Sequence, residues 1–167
     1  TDGSAVLSIW NQQPGFWFFN SSAAAGASQP HRHLQLLPRE PGAPACPLVA
    51  EFDAMAAGNP PTKPWHHAVA VRQLAADRTC SELDQAYRDL ASELALGDHG
   101  QDMHPVHPYN LLLTEHWMVM VRRRIESHAG FSVNALGFAG YLLATKNSNL
   151  DWLRTSGGDA LLDLVSL

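Results

Sequence analysis

The chain of 167 residues is 46% hydrophobic with a formal net charge of −5, which suits one compact domain over residues 1–167 able to bury its own core. The acidic balance leaves no basic footprint for nucleic acid or a membrane surface, no apolar run approaches the ~20 residues needed to cross a bilayer, and the chain opens on no signal-peptide pattern. Its two cysteines, Cys46 and Cys80, have no C-x-x-C spacing, which argues against a disulfide framework or a thiolate zinc site and for a reducing compartment; a cytoplasmic location is the expectation.

Residues 5–20 read as two short strands joined at the turn sequence Gln13-Pro14-Gly15. The second, with Phe16, Trp17, Phe18 and Phe19, runs into N-S-S-A-A-A-G-A-S-Q-P-H-R-H-L-Q at positions 20–35. In extended backbone alternate side chains share a face, so His31, His33 and Gln35 project together while Arg32 and Leu34 project the other way. Just upstream, Gly26, Ala27 and Ser28 offer backbone N–H groups of the kind that cradle phosphate oxygens. An anion cradle thus feeds into a pair of imidazoles.

Seven of the eleven prolines fall between positions 38 and 64, which predicts a long irregular loop covering one edge of a sheet. Residues 65–73, W-H-H-A-V-A-V-R-Q, read as a strand covered on both faces, with His66 and His67 on opposite sides. Leu83, Tyr87, Leu90 and Leu94 mark the apolar stripe of a helix over 81–96, capped by Thr79 or Ser81. The polar stretch 97–108 holds His99, His104 and His107, read as solvated loop histidines since neither H-E-x-x-H spacing nor thiolates accompany them.

Residues 109–114 and 117–122 form a predicted hairpin turning at Glu115 and His116, followed by the charge run Arg122–Arg124, read as a solvated face or a phosphate contact. Asn134 is placed to cap a helix running through Leu142, whose first amides, from Ala135 and Leu136, would make an anion site. Two short helices, around Asp151 and over 159–165, complete the chain.

The string G-A-S-Q-P-H-R-H-L-Q at 26–35 resembles the active-site signature of the diadenosine tetraphosphate phosphorylases (ATP adenylyltransferases). This branch of the histidine-triad superfamily lies close to galactose-1-phosphate uridylyltransferase, and in it the last histidine of H-x-H-x-H is replaced by glutamine. The stretches Y-N-L-L-L-T-x-x-W-M-x-x-V-x-R from Tyr109 and S-V-N-A-L-G-F-A-G from Ser132 resemble the same family. The resemblance implies an α+β fold of the histidine-triad type, a mainly antiparallel sheet with helices packed on one face.

It also implies phosphorolysis of diadenosine tetraphosphate to ADP and ATP, or the reverse adenylyl transfer, through a covalent His33–AMP intermediate. His31 would orient His33 and fix its tautomer through a backbone hydrogen bond. Gln35 would hydrogen-bond the phosphate under attack and favour transfer over hydrolysis. Gly26, Ala27, Ser28 and Gln29 would hold the phosphates, Asn20 would reach the ribose or an adjacent phosphate, and Asn134, Ala135 and Leu136 fall in a region where the family contacts substrate. The implied partners are a dinucleoside polyphosphate, ATP, ADP and phosphate; the motifs name no cofactor, a divalent cation such as Mg being the one candidate.

Family members carry, ahead of this point, strands that help form the nucleoside pocket, so the chain reads as the C-terminal portion of the family's domain. The expectation is that β pairing at its start leaves an open edge near Ile9, Trp10, Phe16 and Phe18, filled by an N-terminal segment in trans or by a second copy. Two alternatives stand beside the main reading. One is a sugar-1-phosphate uridylyltransferase, against which Arg32 in place of the proline of H-P-H-x-Q argues. The other is a catalytically inert nucleotide-binding fragment.

Overall fold

The computed structural model describes residues 6–8, 15–40, 42–97 and 105–167. The turn at Gln13-Pro14, Ile9, Trp10, and His99 and His104 lie outside them, whereas Val6, Leu7 and Ser8, expected in the strand before that turn, are helical. Five strands form one sheet in the order β2-β1-β4-β5-β3: β1 is Gly15–Asn20, β2 Gln35–Pro38, β3 Val69–Gln73, β4 Tyr109–Leu113 and β5 Trp117–Arg122. Every pairing in it is antiparallel. The hairpin of β4 and β5 matches its predicted bounds, closed by Thr114, whose Oγ1 accepts from the backbone N–H of His116 and Trp117 at 3.2 and 3.3 Å.

The strands are apolar at odd and even positions alike, so each face needs cover. Phe16 and Phe18 of β1, Leu112 of β4 and Trp117, Val119 and Val121 of β5 enter one core. Trp17, Phe19, Leu111, Leu113, Met118 and Met120 enter the other. The α+β class and antiparallel sheet hold, but the expectation of helices on one face does not. Helix α1 (Val49–Ala56), the short α3 (Ala135–Phe138) and α5 (Gly158–Val165) bury Phe52, Phe138 and Leu161 in the first core, joined there by partly buried residues of α4 (Leu150–Ser156). Helix α2 (Cys80–Glu93) buries Leu83, Leu90 and Ala91 in the second. Thr79 caps α2, its hydroxyl accepting from Glu82 N–H and its own N–H donating to the Glu82 carboxylate.

Further expectations are corrected. The proline-rich stretch is not irregular throughout, because the proline-free run between Pro47 and Pro60 folds as α1, and Asp53 on it accepts from Trp117 Nε1 at 2.9 Å. Residues 64–68 form a 3-10 turn ahead of β3 rather than part of the strand. Pro64 brings a fixed φ, and His66 Nδ1 accepts from the backbone N–H of Thr62 and Lys63 at 3.2 and 3.4 Å, curling the chain. Helix α3 stops at Phe138 instead of Leu142, because Gly140 at φ +103° turns the chain where a Cβ would lie 2.7 Å from Pro47. Strand β1 is interior, paired on one side with β2 and on the other with β4, so Phe16 and Phe18 present no open edge.

His66 supplies a pH-dependent element. Burial, the largest influence, holds its imidazole below the ordinary value of 6.5, and its Nδ1 is committed as an acceptor. The unfolded chain therefore takes up a proton near pH 6.5 that the folded chain refuses, so stability present above that pH is lost as pH falls through the folded value. The thermal midpoint should fall on acidification below about pH 6.5, and His66→Gln should flatten that fall; parallel profiles for the two proteins would show that His66 is not responsible.

Candidate active site

The loop after β1 is built by small residues. A 3-10 turn at Ala23–Ala25 ends on Gly26 in the left-handed region at φ +83°. A Cβ there would meet the Asn134 Cβ at 2.7 Å and Val133 O at 2.9 Å, so only glycine lets the loop lie against the segment before α3. The amides of Gly26 and Ala27 do not face an anion: they donate to Ala23 O and Ser22 O at 2.9 and 3.0 Å. Of the four residues expected to hold phosphate, Ser28 and Gln29 have N–H groups that make no backbone bond among the described residues.

These residues surround a cavity of about 700 Å³ whose wall includes Asn20, Ser22, Ala27, Ser28, Gln29 and His31. Ser22 adds a buried hydroxyl with no described partner. His33 stands beside His31, ring centres 5.3 Å apart, and its Nδ1 lies 3.1 Å from the His31 carbonyl oxygen. A carbonyl only accepts, so Nδ1 carries the proton and Nε2 keeps its lone pair. The β1–β2 register pairs Phe18 with Gln35 and Phe16 with Leu37; carried two residues beyond the ladder, it sets His33 level with Asn20. Gln35 opens β2 on the face shared with Phe18.

Asn134, Ala135 and Leu136 lie behind the cavity. Ala135 N–H donates to Asn20 Oδ1 at 2.9 Å and Leu136 N–H to Asn134 Oδ1 at 2.9 Å. The amides that the sequence offers to an anion are thus spent inside the protein. What they do instead is tie α3 to Asn20.

Arg123 is fully buried, unlike the solvated face or phosphate contact expected of Arg122–Arg124. Its guanidinium donates to Asn110 Oδ1 at 2.6 Å, Val133 O at 2.8 Å, Ile125 O at 2.8 Å and Val165 O at 3.1 Å, and lies 5.0 Å from the centre of the Phe138 ring. Burial pulls it down to about 10, partly opposed by the Glu126 carboxylate, so it is charged at neutral pH. Arg122 instead bonds Leu94 O and His107 Nε2.

Sequence reasoning also passed over Tyr87 and Tyr109. Tyr87 shares the helical spacing of the leucines, and nothing in that spacing says that it also lines a cavity. Their hydroxyls meet at 2.5 Å, and with Phe19 and Arg32 they line both this cavity and a neighbouring one of about 580 Å³ against α2. His66 and His67 line neither. No group of three or more His, Cys, Asp or Glu side chains among the described residues could hold a metal ion.

Comparison with known proteins matches residues 61–167 to the ATP adenylyltransferase C-terminal domain and residues 1–53 to the Ap4A phosphorylase N-terminal domain. The sheet takes β1 and β2 from the second stretch and β3, β4 and β5 from the first, so both matches share one sheet. No curated protein matches. Among solved structures, yeast Ap4A phosphorylase Apa2 is similar over 99% of this chain and 60% of its own, with a TM-score of 0.68 at 19% identity. The same enzyme in complex with AMP gives 0.67 at 20% identity, and in complex with Ap4A 0.68 at 19%, each over 99% of this chain and 62% of its own. The likeness is one of fold, and the chain spans about 60% of the length of the first of these structures.

Proposed function

Because the chain belongs to the ATP adenylyltransferase C-terminal domain family, we propose that it is a nucleotidyltransferase which phosphorolyses diadenosine tetraphosphate to ADP and ATP, or runs the reverse transfer, through His33. The observation that carries this reading is the bond from His33 Nδ1–H to the His31 carbonyl at 3.1 Å. In the neutral ring it leaves the lone pair on Nε2 and fixes the orientation of that nitrogen, the form that attacks a phosphoric anhydride.

Nε2 would attack the α-phosphorus of one adenylate, forming a P–N bond as the P–O bond to the departing ATP breaks. Inorganic phosphate would then attack the same phosphorus, breaking the P–N bond and giving ADP. Ser28 and Gln29 amides, with Asn20, would meet the developing charge on the phosphate oxygens, and Gln35 would donate to the phosphate without supplying a titratable proton. The apolar wall of the neighbouring cavity, with Leu34, Leu83 and Leu111, would seat the nucleoside.

The assay follows from the bonds. Radiolabelled inorganic phosphate with unlabelled diadenosine tetraphosphate should place label in ADP and none in ATP; label in ATP, or product formed without phosphate at the same rate, overturns the reading. Gln35→His should raise the ratio of hydrolysis to phosphorolysis several-fold, since an imidazole can assist water. An unchanged ratio at equal phosphate would remove Gln35 from the choice of acceptor.

A further inference from the structure

A chain of hydrogen bonds runs from Arg123 to the cavity, and donors at both ends fix its direction. Arginine has five donors and no acceptor, so the Asn110 atom 2.6 Å from its Nη1 is the carbonyl oxygen. The other end of the Asn110 amide is then Nδ2, which donates to Asn20 Oδ1 at 2.7 Å and to Ala25 O at 2.8 Å. Ala25 O is a backbone carbonyl and only accepts, which agrees. Asn20 Oδ1 also takes the Ala135 N–H at 2.9 Å, a donor that cannot reverse. Two independent donors therefore hold the Asn20 oxygen inward. Its Nδ2 has no bond to a described residue, and Asn20 lines the cavity.

We infer that Arg123 and Asn110 are positioning residues that lock the Asn20 amide with its Nδ2 toward the cavity, presenting a donor to a phosphate oxygen of the nucleotide. A free asparagine could turn either end to a ligand, and the oxygen end would repel an anion. Here the flipped amide would set Nδ2 against Asn110 Nδ2–H and Ala135 N–H, leaving two buried donors facing a donor. The burial of Arg123 serves this purpose as well as the core, because the guanidinium supplies the polarity that the two amides pass on. The phosphate contact rests on the functional reading above, whereas the orientation stands on the hydrogen bonds alone.

Asn110→Asp separates these roles. The carboxylate keeps an oxygen for Arg123 but loses the donor to Asn20; Asn110→Ala removes the donor without adding charge or a hydroxyl, and both are assayed well below their thermal midpoints. AMP is the probe, with affinity read by calorimetry. Asn20→Ala should weaken AMP roughly tenfold, and Asn110→Asp by a comparable factor, the scale of one charge-assisted hydrogen bond. If Asn110 acts through Asn20, adding Asn110→Asp to Asn20→Ala costs less than about another twofold. A double variant that loses the product of the two factors overturns the inference, since a merely structural role would multiply. In nucleotide-free protein the Asn20 Nδ2 protons should exchange with solvent faster than those of Asn110, and equal protection of both overturns the orientation. A wild-type chain that does not bind AMP overturns the functional reading and the phosphate contact with it, while the exchange rates still decide the orientation.

Discussion

His33→Ala should lower nucleotidyl transfer by several orders of magnitude while the protein keeps its fold. The size follows from the role: without the imidazole no covalent intermediate forms, and two moderate steps revert to one difficult displacement. The fold should survive because the His33 ring is only half-buried, and its hydrogen bond and ring contact among the described residues are with the neighbouring His31. Steady-state phosphorolysis beside thermal unfolding checks both halves. Near-normal turnover would remove His33 as nucleophile; a collapsed thermal midpoint would assign it to stability instead. His31→Ala is a useful contrast, since the bond to His33 comes from the His31 backbone and persists in that variant.

Arg123→Met should be the most destabilising single change near the site. The methionine fills much of the space, but the buried Asn110 Oδ1 and Val133 carbonyl lose their donor, while the part-buried Ile125 carbonyl and the Val165 carbonyl, which keeps the Arg124 N–H, each lose one bond. A buried acceptor left without a partner costs about 1–3 kcal/mol, so these losses together should cost at least about 3 kcal/mol. In a chain of this size that lowers the thermal midpoint by roughly 6–12 °C. Arg123→Lys keeps the charge but cannot span acceptors on four separate segments, and should fall between. A midpoint within about 2 °C of wild type for the methionine variant would mean that these acceptors find water or other donors and that the cage does not hold the C-terminal segments to the sheet.

The strands were readable as short apolar runs between turn residues, but such runs carry no alternation of apolar and polar side chains, so helices were expected on one face where both are covered. In the sheet Phe16 and Phe18 oppose Trp17 and Phe19, and Leu112 opposes Leu111 and Leu113. The proximity of the two imidazoles was readable from their spacing, and the His31 carbonyl lies within reach of His33. What escaped was decided by partners distant in sequence. Three consecutive arginines look solvated, and the burial of the middle one depends on carbonyls from Val133 and Val165 brought in by folding.

The anion sites show the same limit. Gly26, Ala27, Ala135 and Leu136 each offer an N–H in the sequence, and only the folded chain shows that Ala23, Ser22, Asn20 and Asn134 take them. The strand predicted over 65–73 lost its first half because His66 turns its ring nitrogen back to two amides that a strand would have used elsewhere. Each failure is a case of one local donor or acceptor finding a partner that no sequence pattern names.

The claim on which the whole account turns is that His33 carries the adenylate between donor and acceptor. The direct measurement is to mix the protein with diadenosine tetraphosphate labelled in the α-phosphate, leave out inorganic phosphate, quench in base, and map the label by peptide mass spectrometry. The account predicts an acid-labile adenylyl group on Nε2 of His33, discharged as ADP when phosphate is added. Turnover with no adduct at any time, or label on a residue other than His33, would contradict it.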